Sequence, residues 1–261
     1  MKILFENVLK DSTVSSVDGS ANYPATNLLS RFLRKIYRST AANFDTITIT
    51  LDEYKYISSF FIGYTDSVKI VLRLYNGATL LNTHTFEETD TDERITVSGE
   101  TRETTSGAVR VVSENLSYTA AHFDSSYYVS HIELDVYGGT NIFIGGVGAG
   151  QAWEAAGPVA TWDEPFIDSS VVTISPFGQV LQNEGRALST YLWTFRELTR
   201  DQANALQDIY RSVKIGAMVW VDAFEDNHDF KKPFYATLAE PIETRKNGRR
   251  YDVLISLQEA G

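Results

Sequence analysis

A chain of 261 residues with 43 % hydrophobic and 22 % charged residues is long enough for one large or two ordinary domains, each with its own core. Its formal charge of −11 disfavours general attraction to nucleic acid or to anionic membranes, since such binding rests on a basic surface. Cysteine is absent, which excludes a disulfide framework, a thiolate metal site and a cysteine nucleophile. No apolar run approaches the ~18 residues that a spanning helix needs, and the opening Met1-Lys2-Ile3-Leu4-Phe5-Glu6-Asn7 is broken by polar residues before a secretory signal can develop.

In chain order, Tyr23-Pro24-Ala25-Thr26-Asn27-Leu28-Leu29 reads as a short turn opened by proline. A polar crossing segment with a basic cluster follows, Arg31, Arg34, Lys35 and Arg38. Ile47, Ile49 and Leu51 alternate with Thr48 and Thr50, the period of a strand with one buried face. The same alternation places strands over Val68–Leu74 and over Ile132, Leu134 and Val136, with Asn76-Gly77 as a turn signal. Residues Glu87 to Glu103 are too polar for a core and read as loops and an edge strand. Many short alternating strands separated by turn residues indicate a sandwich or barrel.

Gly145-Gly146-Val147-Gly148-Ala149-Gly150 is weighed as a phosphate cradle. Counting from Gly146 and Gly148, the third fingerprint position falls on Gln151 and no helical pattern follows, so the run reads as a turn and domain exit. From Gln151 to Pro165 periodicity is lost, as expected of a linker. Trp153 and Trp162 lie in it, and their large apolar area calls for burial, either between domains or against a neighbouring subunit.

From Phe166 onward strands are expected at Val171–Ser175 and Ala187–Glu197. Thr199-Arg200-Asp201-Gln202 then forms a capping box, and Leu206, Ile209, Tyr210 and Val213 follow at helical spacing up to a stop at Gly216. Strands resume at Ala217–Phe224, Phe234–Glu240 and Arg250–Glu259, the last preceded by an Asn247-Gly248 hairpin turn. The second unit is thus α+β, one capped helix on a small β-sheet or barrel.

Chemistry-bearing patterns are sparse. His84, His122, His131 and His228 show no metal-ligand spacing, and no Gly-x-Ser-x-Gly elbow is present. Asp222, Glu225, Asp226 and Asp229 supply oxygen ligands suited to Ca²⁺ but lack the spaced frame of a calcium loop, and read as a solvated loop. Arg245, Lys246, Arg249 and Arg250 surround the Asn247-Gly248 turn. On so acidic a chain this tip is either edge protection by charge or an electrostatic peg for an acidic neighbour. Trp153, Trp162 and these four cations are the candidate protein-interface residues; no catalytic, cofactor or metal residue is assigned.

On the turn Tyr23–Leu29, the segment Tyr37-Arg38-Ser39-Thr40 and the strands to Leu74, the chain resembles the front half of a discoidin-type, galactose-binding-like β-sandwich. The resemblance extends over about Asn7 to Gly150. It implies a module that binds glycans, lipids or proteins through loops at one end. The cysteine-free form, with Tyr37-Arg38-Ser39 where a tryptophan is common, is similar to versions found in bacteriophage structural proteins. Leu192-Trp193-Thr194-Phe195-Arg196-Glu197-Leu198-Thr199, the capped helix, Val219-Trp220-Val221-Asp222 and Tyr251–Glu259 are similar to tail-tip and baseplate hub proteins of long-tailed phages. That resemblance implies a ring-forming structural protein.

The expectation is a mainly β chain: a jelly-roll sandwich over 1–150, a linker over 151–165 and an α+β tail-hub-like domain over 166–261. Its expected role is structural, in the tail-tip ring of a virion made in the host cytoplasm, without enzyme activity or cofactor. Other tail proteins and copies of itself would be its partners, with a glycan as a further ligand and DNA only as passing cargo; no membrane partner is expected. The alternative is a carbohydrate-binding module protein that attaches to a host surface.

Overall fold

In the computed structural model the first strand, β1 (Lys2–Leu4), stands apart from the residues that follow it. The structure describes residues 1–30, 35–41, 43–87, 91–93, 111–113, 118–138, 142–154, 161–163, 166–168, 171–174, 180–183, 187–213, 218–223 and 233–259. These fall into two compact units, Asn7–Gln151 and a second built from Met1–Glu6 with Ala152–Gly261.

The Asn7–Gln151 unit is a jelly-roll β-sandwich. Its strands are β2 (Thr13–Ser16), β3 (Tyr37–Arg38), β4 (Phe44–Thr65), β5 (Lys69–Asn76), β6 (Thr79–Glu87), β7 (Thr91–Glu93), β8 (Val111–Ser113), β9 (Tyr118–Tyr137) and β10 (Phe143–Gly150). The strands β4 and β9, with 22 and 20 residues, are several times the usual length. They pair antiparallel in two main ladders, Phe44–Thr50 against His131–Tyr137 and Ser59–Gly63 against Tyr118–His122, with a short one between them, Lys55–Ile57 against Tyr127–Val129. Between these ladders β4 carries extra residues from Thr50 to Lys55, and β9 carries extra residues from His122 to Tyr127. Such bulges bend a strand and raise its twist, so both strands fold over together. One arm lies in the layer β2-β4-β9-β5-β6 and the other in β3-β10-β4-β9.

A single core fills the space between the arms. Ile47, Ile49 and Leu51 point into it from one arm of β4 and Phe60 and Ile62 from the other, joined by Ile70, Leu72, Leu74, Ile132, Leu134, Val147 and Ala149. The expected alternation is therefore present except at Val68, which precedes β5 and is exposed, and the strands read at Ile47–Leu51 and Ile132–Val136 are parts of longer ones. The turn Ala25–Leu29 is a 3-10 helix opened by Pro24, and it buries Leu28 in the same core. The glycine run is strand rather than turn: Gly146, Gly148 and Gly150 lie in β10, opposite Gly63, Phe61 and Ser59 of β4. Residues without side chains suit a strand whose backbone is buried throughout.

In the second unit, strands β11 (Trp153–Glu154), β12 (Thr161–Asp163), β13 (Phe166–Asp168), β14 (Val171–Ile174), β15 (Val180–Asn183) and β16 (Ala187–Leu198) precede the helix α1 (Arg200–Val213). The strands β17 (Met218–Asp222), β18 (Phe234–Leu238), β19 (Glu243–Asn247) and β20 (Arg250–Glu259) follow it. The main sheet runs β11-β1-β17-β18-β20-β16-β12, with β19 beside the first half of β20 and β13 beside β16. The domain limits thus differ from those read in the sequence at two points. Residues 1–6 belong with the second unit because Ile3 pairs with Val221 on one side and Trp153 on the other, and is fully buried in its core. The stretch expected as linker supplies β11 and β12 to this sheet.

Both halves of the capping box form. The Thr199 hydroxyl accepts from the Gln202 amide N–H at 3.3 Å, and the Gln202 Oε1 accepts from the Thr199 N–H at 2.8 Å. The helix then buries Ala203 and Leu206 against the sheet, and Gln207 Nε2 donates to the Ile242 carbonyl at 2.9 Å. The expected stop at Gly216 lies outside the described residues.

Both Asn-Gly signals mark hairpins, one residue out of phase with the reading. Asn76 pairs with Thr79 and Asn247 with Arg250, so the two loop residues are Gly77-Ala78 and Gly248-Arg249. Gly77 and Gly248 have φ of +56° and +60°, while the residues after them keep negative φ. Glycine at the first central position is what a type II′ hairpin requires.

All four tryptophans lie in the second unit, so their fluorescence reads its unfolding. Ile3→Ala removes a fully buried anchor of β1 and is expected to cost this unit about 2–5 kcal/mol. Urea titration followed by tryptophan emission checks it; an unchanged midpoint would show that β1 contributes nothing to the sheet.

Candidate functional site

Because β4 and β9 fold back on themselves, all four of their ends meet at one end of the sandwich. Val68 N–H donates to the Tyr137 carbonyl at 3.0 Å, Gly138 N–H donates to Asn43 at 3.1 Å, and Thr65 of β4 stands opposite Ile144 of β10. Residues 65–69, Gly138 and Ile142 therefore share this end with the segment that carries Tyr23 and Arg38.

Several exposed aromatic rings gather there. Tyr64 is 50 % exposed and its ring lies 5.5 Å from that of Phe143. Tyr23 is 40 % exposed, with the Arg38 guanidinium 5.0 Å from its ring centroid, a cation–π distance. Phe44 packs on Tyr137 at 5.0 Å.

Tyr64 has φ of +56°, a left-handed conformation that a bulky side chain adopts at a cost of about 1–3 kcal/mol. A buried polar network holds it. The Thr65 hydroxyl donates to the Phe143 carbonyl at 2.8 Å and lies 2.8 Å from the Ser67 hydroxyl, and the Phe143 N–H donates to Asp66 Oδ1 at 2.8 Å. Asp66 is part-buried, and burial raises its carboxyl above the usual range against the opposing pull of the Phe143 N–H and the Arg38 charge. Arg38 Nε is buried and has no hydrogen-bond partner among the described residues. Beneath it, the buried Tyr37 hydroxyl donates to Asp45, and burial together with that carboxylate pushes the phenol far up. Rigid support, open rings, a free donor and a carboxylate thus share one loop end.

The residues expected at interfaces fall elsewhere. The Trp153 ring stands edge-on to Phe195 at 5.3 Å within the second unit, and the Trp162 backbone pairs with Trp193 in β12 and β16. Arg245, Lys246, Arg249 and Arg250 are all exposed on the β19–β20 hairpin, with Arg245 paired to Glu243 at 2.8 Å. Beside that hairpin, Thr194, Arg196, Arg245, Asp252, Val253 and Leu254 line a surface hollow of about 240 Å³. The acidic loop lies outside the described residues beyond the buried Asp222 and Ala223, as do His228, Arg31 and Arg34.

His122 lies 2.9 Å from the Ser59 hydroxyl and His131 stacks on Tyr75 at 4.6 Å, both as packing side chains. His84 is half-buried against Phe86, and desolvation lowers its pKa, helped by His122. Among the described residues no three His, Asp or Glu side chains converge as a metal site.

Tyr64, Asp66 and Phe143 were not marked by the sequence as site residues. A tyrosine directly after Gly63, in a stretch otherwise apolar from Phe60 to Ile62, was the available signal.

No family model and no curated protein matches the chain. Among solved structures, the family 32 carbohydrate-binding module of Clostridium perfringens NanJ in complex with galactose is 14 % identical, with a TM-score of 0.40 over 57 % of this chain and 98 % of that one. The lectin domain of lectinolysin complexed with Lewis B antigen is 9 % identical, with a TM-score of 0.40 over 55 % of this chain and 95 % of that one. A Streptococcus pneumoniae fucose binding module is 11 % identical, with a TM-score of 0.38 over 55 % and 94 %. The sandwich assignment rests on the strand pairing itself.

Tyr64→Gly removes the left-handed strain at the expense of a more flexible unfolded chain. It is expected to leave the sandwich as stable or more stable by about 1 kcal/mol. Thermal unfolding followed by far-UV circular dichroism checks this; a clear loss of stability would mean that the Tyr64 ring is a packing residue.

Proposed function

We propose that the chain is a non-catalytic glycan-attachment protein whose sandwich binds a sugar at the loop end bearing Tyr64. The observation that carries this reading is Tyr64 itself, half exposed and held left-handed against Phe143, the residue paired with Arg38. A pyranose presents an apolar C–H face and a rim of hydroxyls. Exposed rings at Tyr64 and Tyr23 suit the face, while the Arg38 guanidinium and Asp66 suit the rim as donor and acceptor. A pre-formed site lowers the ordering cost of binding, which matters for a small polar ligand that competes with water.

A glycan array with terminal galactose, N-acetylgalactosamine, fucose and glucose, followed by calorimetry on any hit, tests the proposal. Tyr64→Ala and Arg38→Ala are each expected to weaken binding about tenfold, as the loss of one stacking or charged contact of ~1.4 kcal/mol implies. Binding to no glycan, or full binding by the double variant, overturns it.

A second reading concerns where the module is carried. The sandwich is an insertion between β1 and β11, so both ends of the chain belong to the second unit's sheet. With the resemblance of that unit to tail-tip and baseplate hub proteins, this supports a carrier within a phage tail, assembled with itself and with other tail proteins. Light scattering on the purified protein and mass spectrometry of virions check it. A monomer absent from particles overturns this placement and leaves the glycan reading standing.

A further inference from the structure

The second unit bears a cationic face on a chain of net charge −11. Strands β16, β20 and β19 lie side by side, with Phe195 opposite Val253 and both side chains in the core. Residues that alternate with these two face away from the core. Thr194, Leu254 and Glu243 form one row across the three strands. Asp252 and Arg245 form the next, and Arg196 joins them around the surface hollow of about 240 Å³. Arg250 follows opposite Asn247, and Arg249 stands at the hairpin tip.

The carboxylates of this face are already engaged. Asp252 Oδ1 accepts from the Glu197 N–H at 3.3 Å, and its Oδ2 accepts from Asn247 Nδ2 at 3.3 Å. Glu243 takes Arg245 Nη2 at 2.8 Å. A guanidinium offers five donors, so that single contact leaves most of Arg245 available. Arg196, Arg249 and Arg250 are exposed and make no ion pair among the described residues. Two guanidiniums thus border one hollow above the uncharged Thr194 and Leu254. That arrangement matches a glutamate side chain, its carboxylate between the forks and its aliphatic stem on Leu254.

All residues lining the hollow belong to β16, β19 and β20. The chain passes to and from the sandwich at the other side of the sheet, from β1 and β11. In the order β11-β1-β17-β18-β20, β20 lies three strands from β1, about 14 Å at the usual strand spacing. Away from this face the chain is acidic, so a long polyanion such as nucleic acid is repelled once it runs past the hairpin. A short carboxylate-bearing segment meets no such opposition.

We propose that the hollow and the β19–β20 hairpin dock an acidic segment of another protein. One glutamate of that segment enters between Arg196 and Arg245, and its further carboxylates meet Arg249 and Arg250. The inference rests neither on the sugar site at Tyr64 nor on a place in a particle, and stands if both fail.

Fluorescence anisotropy of the full chain with a labelled peptide of alternating glutamate and serine tests it. The wild type is expected to bind at low ionic strength and to weaken as salt screens the charges. Arg196→Gln/Arg245→Gln removes the two forks, whereas Thr194→Trp fills the hollow and leaves the charge unchanged. Each is expected to weaken binding about tenfold or more, with unchanged circular dichroism. Arg211→Gln, an exposed arginine on α1, is expected to bind as the wild type does. No binding by the wild type overturns the proposal. So does wild-type affinity in Thr194→Trp, since the cations then act only as diffuse charge. Tighter binding of labelled oligothymidylate than of the peptide overturns it in favour of nucleic acid. A wild-type oligomer in light scattering that the double variant loses also overturns it, since the hairpin is then an interface between copies.

Discussion

The paired strands β4 and β9 are the constraint on which the sandwich depends. Their two main ladders lie on either side of a bulged bend, so one pair of strands supplies the centre of both layers. Backbone groups that enter a buried sheet must be hydrogen-bonded, and a continuous pair meets that demand in both layers without an intervening loop. The bend also decides where freedom remains. The short connection Asp66–Val68 between β4 and β5, and Gly138 after β9, lie at the end of the unit where the strands begin and finish, whereas the Gly77-Ala78 hairpin lies toward the bend beside Ser130.

Left-handed tyrosine at position 64 persists because its surroundings over-determine it. Thr65, Ser67 and Phe143 close a buried hydrogen-bond circuit that would break if Tyr64 relaxed to an extended conformation. The second unit offers a useful contrast. Glu197 also has positive φ, at +61°, but it sits at the bulge where β16 shifts register against β20, and its N–H donates to Asp252 at 3.3 Å. There the strain serves the bend of a strand. At Tyr64 it holds an aromatic ring half exposed against Phe143, the residue paired with Arg38.

Periodicity made the strands legible, since Ile47–Leu51, Ile70–Leu74 and Ile132–Val136 each bury one face of a layer. The capping box at Thr199 and both Asn-Gly hairpins were equally visible, because local chemistry fixes them. The long-range facts were not. Nothing in Lys2-Ile3-Leu4 announces a partner at Trp220–Asp222, and the glycines of β10 read as punctuation because a buried strand of small residues has no alternating signal. The loop-end site was hidden for the same reason. Tyr23 and Arg38, Tyr64 with Asp66, and Phe143 come from three separate segments that meet only through the fold. The cations at Arg245–Arg250 stood out because charge clusters are local, yet the hairpin places them on solvent without a buried donor or an open ring among them.

The insertion has a kinetic consequence as well as an architectural one. Ile3 must pair with Val221 and Trp153, so the second sheet gains β1 only after nearly the whole chain has been made. Contacts of such high sequence separation close slowly because the loop entropy is lost before the contact is gained. The sandwich shortens that closure: once Asn7–Gln151 has folded, with Asn7 Nδ2 bonded to the Val147 carbonyl and Val8 N–H to the Ala149 carbonyl, its two ends are held side by side. The residues on either side, Phe5-Glu6 and Ala152-Trp153, are then brought together as a folded domain brings its termini together. Folding of the inserted unit thus shortens the loop that the pairing of β1 with β11 must close.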